Sequence, residues 1–255
     1  MRNIMGTRIL ISIVAFFSLT ALPASAEATN EALKKAIDKT LVYLENKKGR
    51  IMPMMISTLD YLNRTYGLKV DIAQQKAQLL IKPPKRRRAL MRFMDERFIV
   101  PEYEIRNMEG IDAITASALY CDIYELPKDF FSRVNAMTEA GGYSLTHATL
   151  ALTILKQRGC KYPAINYDIE LKRYSRLLGQ LIEKKGAESD VGTEAIVFLY
   201  LSGHGSTVKH EWIKKIIGAQ KPQGGCGNND HTTVLALWAM LEAQRQSMPA
   251  KLKNH

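Results

Sequence analysis

A glycine-rich turn that leads into an apolar helix recurs through the second half of this chain and constrains its fold more than any other feature. The copies are Gly141-Gly142-Tyr143, the turn at Gly186, and Gly224-Gly225-Cys226-Gly227. If His147, Thr193 and Thr232 are equivalent positions, the steps between copies are 46 and 39 residues. A period near 40 residues with helix-forming content is typical of repeat architectures.

Two kinds of helix are predicted to alternate from about Asn107 onward. Residues 148–155, 195–201 and 234–241 are apolar all round, and such helices must be surrounded by other helices. Residues 174–182 are instead striped, with apolar side chains at helical spacing between lysines and arginines. The alternation predicts an all-α fold of helical hairpins, with an inner and an outer ring, in a closed or an incomplete toroid. The N-terminal half predicts further helices, over residues 30–47, 52–66, 70–82 and 86–98.

The first 26 residues are typical of a cleavable signal peptide. Arg2 and Arg8 precede an apolar stretch over residues 9–22, and Ala24-Ser25-Ala26 forms a small-residue cleavage site. An uncleaved membrane anchor is the competing interpretation, but the apolar stretch is short for a span of about 20 residues. We therefore expect a periplasmic or secreted chain without a transmembrane segment. It would comprise a helical region (27–106), a repeat region (107–246) and a tail (247–255).

The chain is basic, with a formal net charge of +11 that falls to +9 without Arg2 and Arg8. Much of the charge is concentrated in one segment: Lys82, Lys85, Arg86, Arg87, Arg88, Arg92 and Arg97. A basic patch can bind nucleic acid, anionic lipid or acidic polysaccharide. Because an exported protein rarely meets nucleic acid, Arg86, Arg87 and Arg88 are candidate binding residues for another anionic polymer or for a protein partner. A solvated linker is the alternative.

Three cysteines are an odd number for an oxidising compartment. Cys121 and Cys160 each follow an apolar helix, so one option is a disulfide between neighbouring repeats. Cys226 lies in a glycine-rich turn and is the cysteine expected to stay free or to have a function.

The last repeat has a specific likeness. Residues 216–220, which end in Gln220, precede Gly224-Gly225-Cys226-Gly227 and Asp230-His231-Thr232-Thr233. This pattern resembles the repeat of terpenoid cyclases and protein prenyltransferase β-subunits, in which a helix ending in Gln precedes a Gly-Gly-aromatic-Gly turn. The resemblance covers about residues 107–246 and implies an (α/α) toroid. It does not imply one activity, because a single fold hosts many chemistries.

In such a toroid every inner helix begins at the same end, so the turns place their polar residues around one rim. The rim set is Asp112, His147, Asp190, Glu194, Cys226, Asp230 and His231. Asp190 and Asp230 also stand where helix N-caps are expected, which gives them a structural alternative.

The resemblance to prenyltransferases also implies a zinc site at this rim, since those enzymes hold zinc by Asp, Cys and His. Here His147, Cys226 and His231 are the candidate ligands, with Asp230 beside them. Gly224 stands where that family has its Asp. Cyclase chemistry is not predicted, because the chain has no Asp-x-Asp-Asp motif and is only 8% aromatic.

Thioester domains of the complement and α2-macroglobulin type are similar around Gly225-Cys226-Gly227. They end their motif in Gln where this chain has Asn229.

Two classes of function remain. The first is a binding or scaffold module for an anionic polymer or a protein partner, which the lack of a complete catalytic motif favours. The second is an enzyme with a rim site, either zinc-dependent or polysaccharide-cleaving. Its candidate catalytic residues are His147, Asp190, Glu194, Cys226, Asp230 and His231. Asp190 and Glu194 are an i, i+4 pair on one helix face, whereas a general acid and base for glycosides should face each other across a groove.

Overall fold

The computed structural model describes residues 24–47, 50–162 and 165–247. The predicted signal segment up to residue 23 and the tail from residue 248 lie outside the described residues, as do the side chains of residues 24–29 and Arg86. Within the described ranges the chain is all-helical, as predicted, and no strand occurs. None of these helices is both long enough and apolar enough to span a bilayer.

The helices are α1 (Ala24–Asn46), α2 (Pro53–Tyr66), α3 (Ala73–Ile81), α4 (Glu102–Arg106), α5 (Gly110–Leu119), α6 (Phe130–Ala140), α7 (Gly142–Gln157), α8 (Tyr167–Lys185), α9 (Asp190–Leu201), α10 (His210–Gly218) and α11 (Asp230–Ser247). Two 3-10 segments accompany them, Lys85–Phe93 and Gly205–Thr207.

The predicted alternation of buried and striped helices is confirmed. Between residues 192 and 199 every side chain of α9 is buried, and the same holds for α11 between residues 232 and 241. Helix α8 buries only one stripe, which includes Tyr174, Leu178 and Ile182. The buried helices pack in chain order, α5 on α7, α7 on α9 and α9 on α11, while α6, α8 and α10 cover them.

The N-terminal elements pack on the same core. Helix α2 contacts α11, the 3-10 segment Lys85–Phe93 contacts both α2 and α5, and α1 lies against α10 and α11. The predicted helix over residues 86–98 was wrong in type and in length, because residues 85–93 form a 3-10 helix kinked at Arg87 (φ −132°, ψ 16°) and residues 94–98 are not helical. Tertiary ion pairs account for the departure, since Arg87, Arg88 and Arg92 each reach a carboxylate on a different part of the chain.

The caps of α9 and α11 lie one residue before the predicted ones. Ser189 Oγ accepts a hydrogen bond from Gly192 N (3.1 Å), and Asn229 Oδ1 accepts one from Thr232 N (2.8 Å). Asp190 and Asp230 are therefore the first residues of their helices rather than the caps, and their carboxylates are available to distant partners.

Cys121 and Cys160 form a disulfide, with Cα atoms 6.1 Å apart. The pairing that the sequence offered as one option is thus present. Because the two cysteines follow α5 and α7, the bond links the C-terminal ends of neighbouring buried helices.

The last glycine-rich turn is shaped by close contact with α1. Gly224 has φ +103°, and a Cβ atom at this position would lie 2.2 Å from the carbonyl oxygen of Lys39. Gln220 Nε2 donates to Ala36 O and to Thr40 Oγ1, both at 2.8 Å. The glycine and glutamine of this repeat therefore dock α1 onto the repeat helices.

Gly224→Ala is expected to lower the free energy of unfolding by about 1–3 kcal/mol, because the methyl group forces α1 away from the turn and strains a left-handed backbone. Urea unfolding of the variant measures the loss. Gly218→Ala is the matched control, since Gly218 lies in the last turn of α10 and a Cβ there meets nothing within 4 Å. Equal stability of the two variants would contradict the proposed close contact.

Candidate acid–base site

A cavity of about 750 Å³ lies among α2, the 3-10 segment Lys85–Phe93, α5, α7, α9 and α11. Much of its wall is apolar, with Met54, Leu150, Phe198, Leu235 and Trp238 among the lining residues. Polar and charged side chains gather toward its ends. The cavity is therefore suited to an organic molecule that is apolar over most of its length.

The first two turns of the buried helices bring several predicted rim residues to one end of this cavity. Asp112 on α5, His147 on α7, Glu194 on α9 and His231 on α11 all line it. Asp190 joins the group through a hydrogen bond to His231. The sequence repeat predicted this convergence from positions that lie far apart along the chain.

His231 is held by the carboxylate of Asp190. The Nδ1 atom of His231 is 2.8 Å from Asp190 Oδ1, and Asp190 also accepts hydrogen bonds from Thr232 Oγ1 (2.5 Å) and Tyr143 OH (2.6 Å). Burial raises the pKa of Asp190, but these donors outweigh it and lower the pKa to about 2. With Nδ1 bonded to Asp190, Nε2 of His231 faces the cavity end.

The charge of Asp190 also sets the proton affinity of His231. Burial lowers the pKa of His231, but the hydrogen bond and negative charge of Asp190, together with Glu194, raise it above the ordinary value of 6.5. An imidazole oriented and made more basic by a carboxylate is a common form of general base.

Glu194 is the most buried carboxyl group of the site, with 2% of its surface exposed. Its Oε2 atom is 3.4 Å from Nε2 of His231, and its Oε1 atom is 3.9 Å from Nε2 of His147. Thr146 Oγ1 donates a hydrogen bond to Oε1. Burial raises the pKa of Glu194 to about 7, so the side chain carries a proton over much of the acidic and neutral range.

His147 differs from His231 in the direction of its pKa shift. Burial lowers its pKa to about 4, which keeps the imidazole neutral at neutral pH. Its Nδ1 atom is 3.2 Å from Thr115 Oγ1. Asp112 lies at the same end in an ion pair with Arg87 (Oδ2 to Nε, 3.1 Å). The two histidines on either side of Glu194 thus have opposite pKa shifts.

Several participants were missed in the sequence: Arg87, Thr115, Tyr143 and Thr146. Tyr143 occupies the aromatic position of the Gly-Gly-aromatic turn, and Thr146 immediately precedes His147. Their place in the repeat was a usable signal. Arg87 was assigned to a surface patch instead, because nothing local in the sequence relates it to Asp112.

Two predicted rim residues face elsewhere. Asp230 pairs with Lys47 and accepts a hydrogen bond from Met52 N (3.4 Å), so its carboxylate is directed at the segment that follows α1. Cys226 is buried, its backbone N–H donates to Thr233 Oγ1 (3.0 Å), and burial raises the pKa of its thiol to about 11. A protonated, buried thiol is a poor nucleophile and a poor metal ligand.

No group of three or more His, Cys, Asp or Glu side chains in the described part of the chain has the arrangement of a metal site. The predicted zinc ligands His147, Cys226 and His231 are therefore not supported as a set. Asn229, at the thioester-like position, caps α11.

The basic segment is extensively paired. Arg88 forms an ion pair with Glu104 (2.6 Å), and Arg87 pairs with Asp112. Arg92, with 5% of its surface exposed, is bonded to both carboxylate oxygens of Asp122 at 2.7 Å. Arg86 lies in this segment, and its side chain is outside the described residues. Much of the positive charge predicted for an anionic-polymer surface is thus neutralised locally.

Comparison of the chain with family models, curated proteins and solved structures finds no match. The case for a function therefore rests on the site itself.

Proposed function

We propose that α2, the 3-10 segment Lys85–Phe93, α5, α7, α9 and α11 form the inner ring of an (α/α) toroid around the cavity. Each of these elements packs on the next one, and α11 packs back on α2, which supports a closed circuit. The repeat that resembles terpenoid cyclases and prenyltransferase β-subunits supports the same arrangement.

On this framework we propose an enzyme that performs general acid–base chemistry on an organic substrate held in the cavity. The observation that carries the proposal is Glu194, a buried carboxyl group with a pKa near 7 between the Nε2 atoms of two histidines. Carboxyl groups with strongly raised pKa values at a cavity wall are typical of catalytic acids.

Each group has a distinct role in this proposal. Neutral His231, oriented by Asp190, takes a proton from the substrate or from a water molecule at Nε2. Protonated Glu194 gives its proton to the atom that becomes more basic in the reaction. The excess proton on His231 then passes to the Glu194 carboxylate across the 3.4 Å separation, which restores both groups. Neutral His147 orients the substrate by hydrogen bonding.

Glu194→Gln is expected to reduce turnover by about 100-fold or more, because the amide cannot supply a proton. Release of p-nitrophenol from p-nitrophenyl butyrate and p-nitrophenyl decanoate is the assay. Wild-type turnover should fall above about pH 7, where Glu194 loses its proton, and should also fall on acidification, where His231 gains one. Glu188→Gln, an exposed change of the same chemistry, is the control. Equal rates in Glu194→Gln and wild type would refute the assigned acid.

The alternative function, a scaffold that binds an anionic polymer through residues 86–88, has less support because Arg87 and Arg88 are already paired with carboxylates. Export of the chain remains part of the proposal. The disulfide between Cys121 and Cys160 supports it, because disulfides persist mainly in oxidising compartments.

A further inference from the structure

The cavity has a second charged end, opposite Glu194. Leu119, Arg158 and Leu201, at the C-terminal ends of α5, α7 and α9, line it there, together with Arg92. Along α7 the distance from His147 to Arg158 is about 16 Å at the rise of an α-helix. A ligand that filled the cavity would therefore contact both ends at once.

Two arginines share one carboxylate at this end. Asp122 accepts two hydrogen bonds from Arg92 at 2.7 Å and one from Arg158 NH1 at 3.2 Å. Arg92 also donates to Leu119 O (2.7 Å) and to Glu96 O (3.2 Å), so its guanidinium makes four hydrogen bonds in all. The cluster carries two positive charges and one negative charge.

A second cluster with more positive than negative charges lies beside the Arg92–Arg158–Asp122 cluster. Buried Asp60 is paired with both Lys76 Nζ (2.7 Å) and Arg64 Nε (3.2 Å), and Arg64 lines the cavity. Asp95, which also lines this end, is paired with Arg97 (3.1 Å). The exposed side chain of Glu96 is the remaining carboxylate among the lining residues here. Positive charge is therefore in excess at this end.

Arg158 is the member of the cluster with unused donors. Among the described residues its side chain makes one hydrogen bond, to Asp122, and it is 18% exposed on the cavity wall. Arg92 has a structural role, because it bonds to Leu119 O and neutralises Asp122. Asp122 needs no second arginine for charge balance, so this role does not explain the presence of Arg158. A planar guanidinium with free N–H groups matches the geometry of a carboxylate.

We infer that Arg158 binds a carboxylate group of the ligand. The ligand is then an elongated molecule with a carboxylate at one end and an apolar middle section along Leu150 and Phe198. The assignment of its other end to the reacting group rests on the proposed function of Glu194. The carboxylate site itself does not depend on that function.

Isothermal titration calorimetry with decanoate and with 1-decanol tests the site. Decanoate is expected to bind more tightly than decanol, and Arg158→Gln is expected to weaken decanoate binding by about 10- to 100-fold while leaving decanol unchanged. Arg173→Gln, which removes a surface arginine paired with Glu170 on α8, is the matched control. Unchanged decanoate affinity in Arg158→Gln would overturn the inference, as would equal binding of acid and alcohol by the wild type.

A salt titration of the wild type covers the case in which Arg158→Gln does not fold. Affinity for decanoate should fall as ionic strength rises, whereas affinity for decanol should not. Salt-independent decanoate binding would overturn the carboxylate site without any variant.

The outcome is separable from that of the proposed function. Glu194→Gln should keep its decanoate affinity, because residue 194 lies at the end of the cavity opposite Arg158, where the decanoate carboxylate binds. Loss of turnover in Glu194→Gln with no effect of Arg158→Gln on binding would sustain the acid–base function and remove the carboxylate site. The reverse pattern would sustain the carboxylate site alone.

Discussion

Replacement of Cys121 and Cys160 together by serine is expected to lower the free energy of unfolding by about 4 kcal/mol. The disulfide spans 39 residues, and a loop of that length restricts the unfolded chain substantially. The disulfide also adjoins the proposed carboxylate site, since Asp122 follows Cys121 and Arg158 lies two residues before Cys160. The double variant should therefore loosen the carboxylate site together with the ends of α5 and α7.

Urea unfolding with and without a thiol reductant measures this effect. The wild type should lose its added stability in reductant, whereas the double serine variant should be insensitive to it. Identical wild-type stability under both conditions would mean that the bond contributes nothing. Cys226 does not complicate the comparison, because it is buried and has no disulfide partner among the described residues.

The second large effect concerns pH. Glu194 has an ordinary pKa of 4.5 and a folded-state pKa of about 7. A group with a raised pKa contributes stability below its unfolded value and loses it as the pH rises through its folded value. Between pH 4.5 and about 7.5 the wild type should thus lose about 3 kcal/mol relative to Glu194→Gln, at 1.36 kcal/mol per pKa unit.

Chemical unfolding of both proteins at pH 4.5, 6, 7.5 and 9 tests this prediction. The difference between the two free energies is the quantity of interest, because His147 acts in the opposite direction. Burial lowers its pKa from 6.5 to about 4, so its contribution is present above pH 6.5 and is lost on acidification. Parallel stability curves for the two proteins would show that the pKa of Glu194 is the same in the folded and unfolded states, which would contradict the prediction.

The repeat made much of the fold predictable. Helices without a polar face must be buried, and residues 148–155, 195–201 and 234–241 are indeed within α7, α9 and α11. The caps were misplaced by one residue because Ser189-Asp190 and Asn229-Asp230 each offer two good capping residues in succession. Sequence preference alone does not choose between such neighbours.

The site was predictable to the extent that it follows the repeat. His147, Glu194 and His231 lie in the first two turns of successive buried helices, so one rule located all three. Asp230 belongs to the same set but is diverted by the N-terminal part of the chain, whereas Cys226 lies in the turn before α11 and its backbone bonds to Thr233. The partner of Asp230 is Lys47, 183 residues away, and no local pattern indicates such a pairing.

The docking of α1 on the last repeat has a consequence for how the chain reaches this structure. Thr40 and Gly224 are 184 residues apart, so a chain synthesised from its N-terminus exposes the apolar stripe of α1 until almost every other helix has been made. Contacts of such long range form slowly. Cys226 lies in the turn that α1 covers, so we expect its thiol to be accessible until α1 docks. An accessible thiol can pair with Cys121 or Cys160, and early formation of the native disulfide would prevent that exchange.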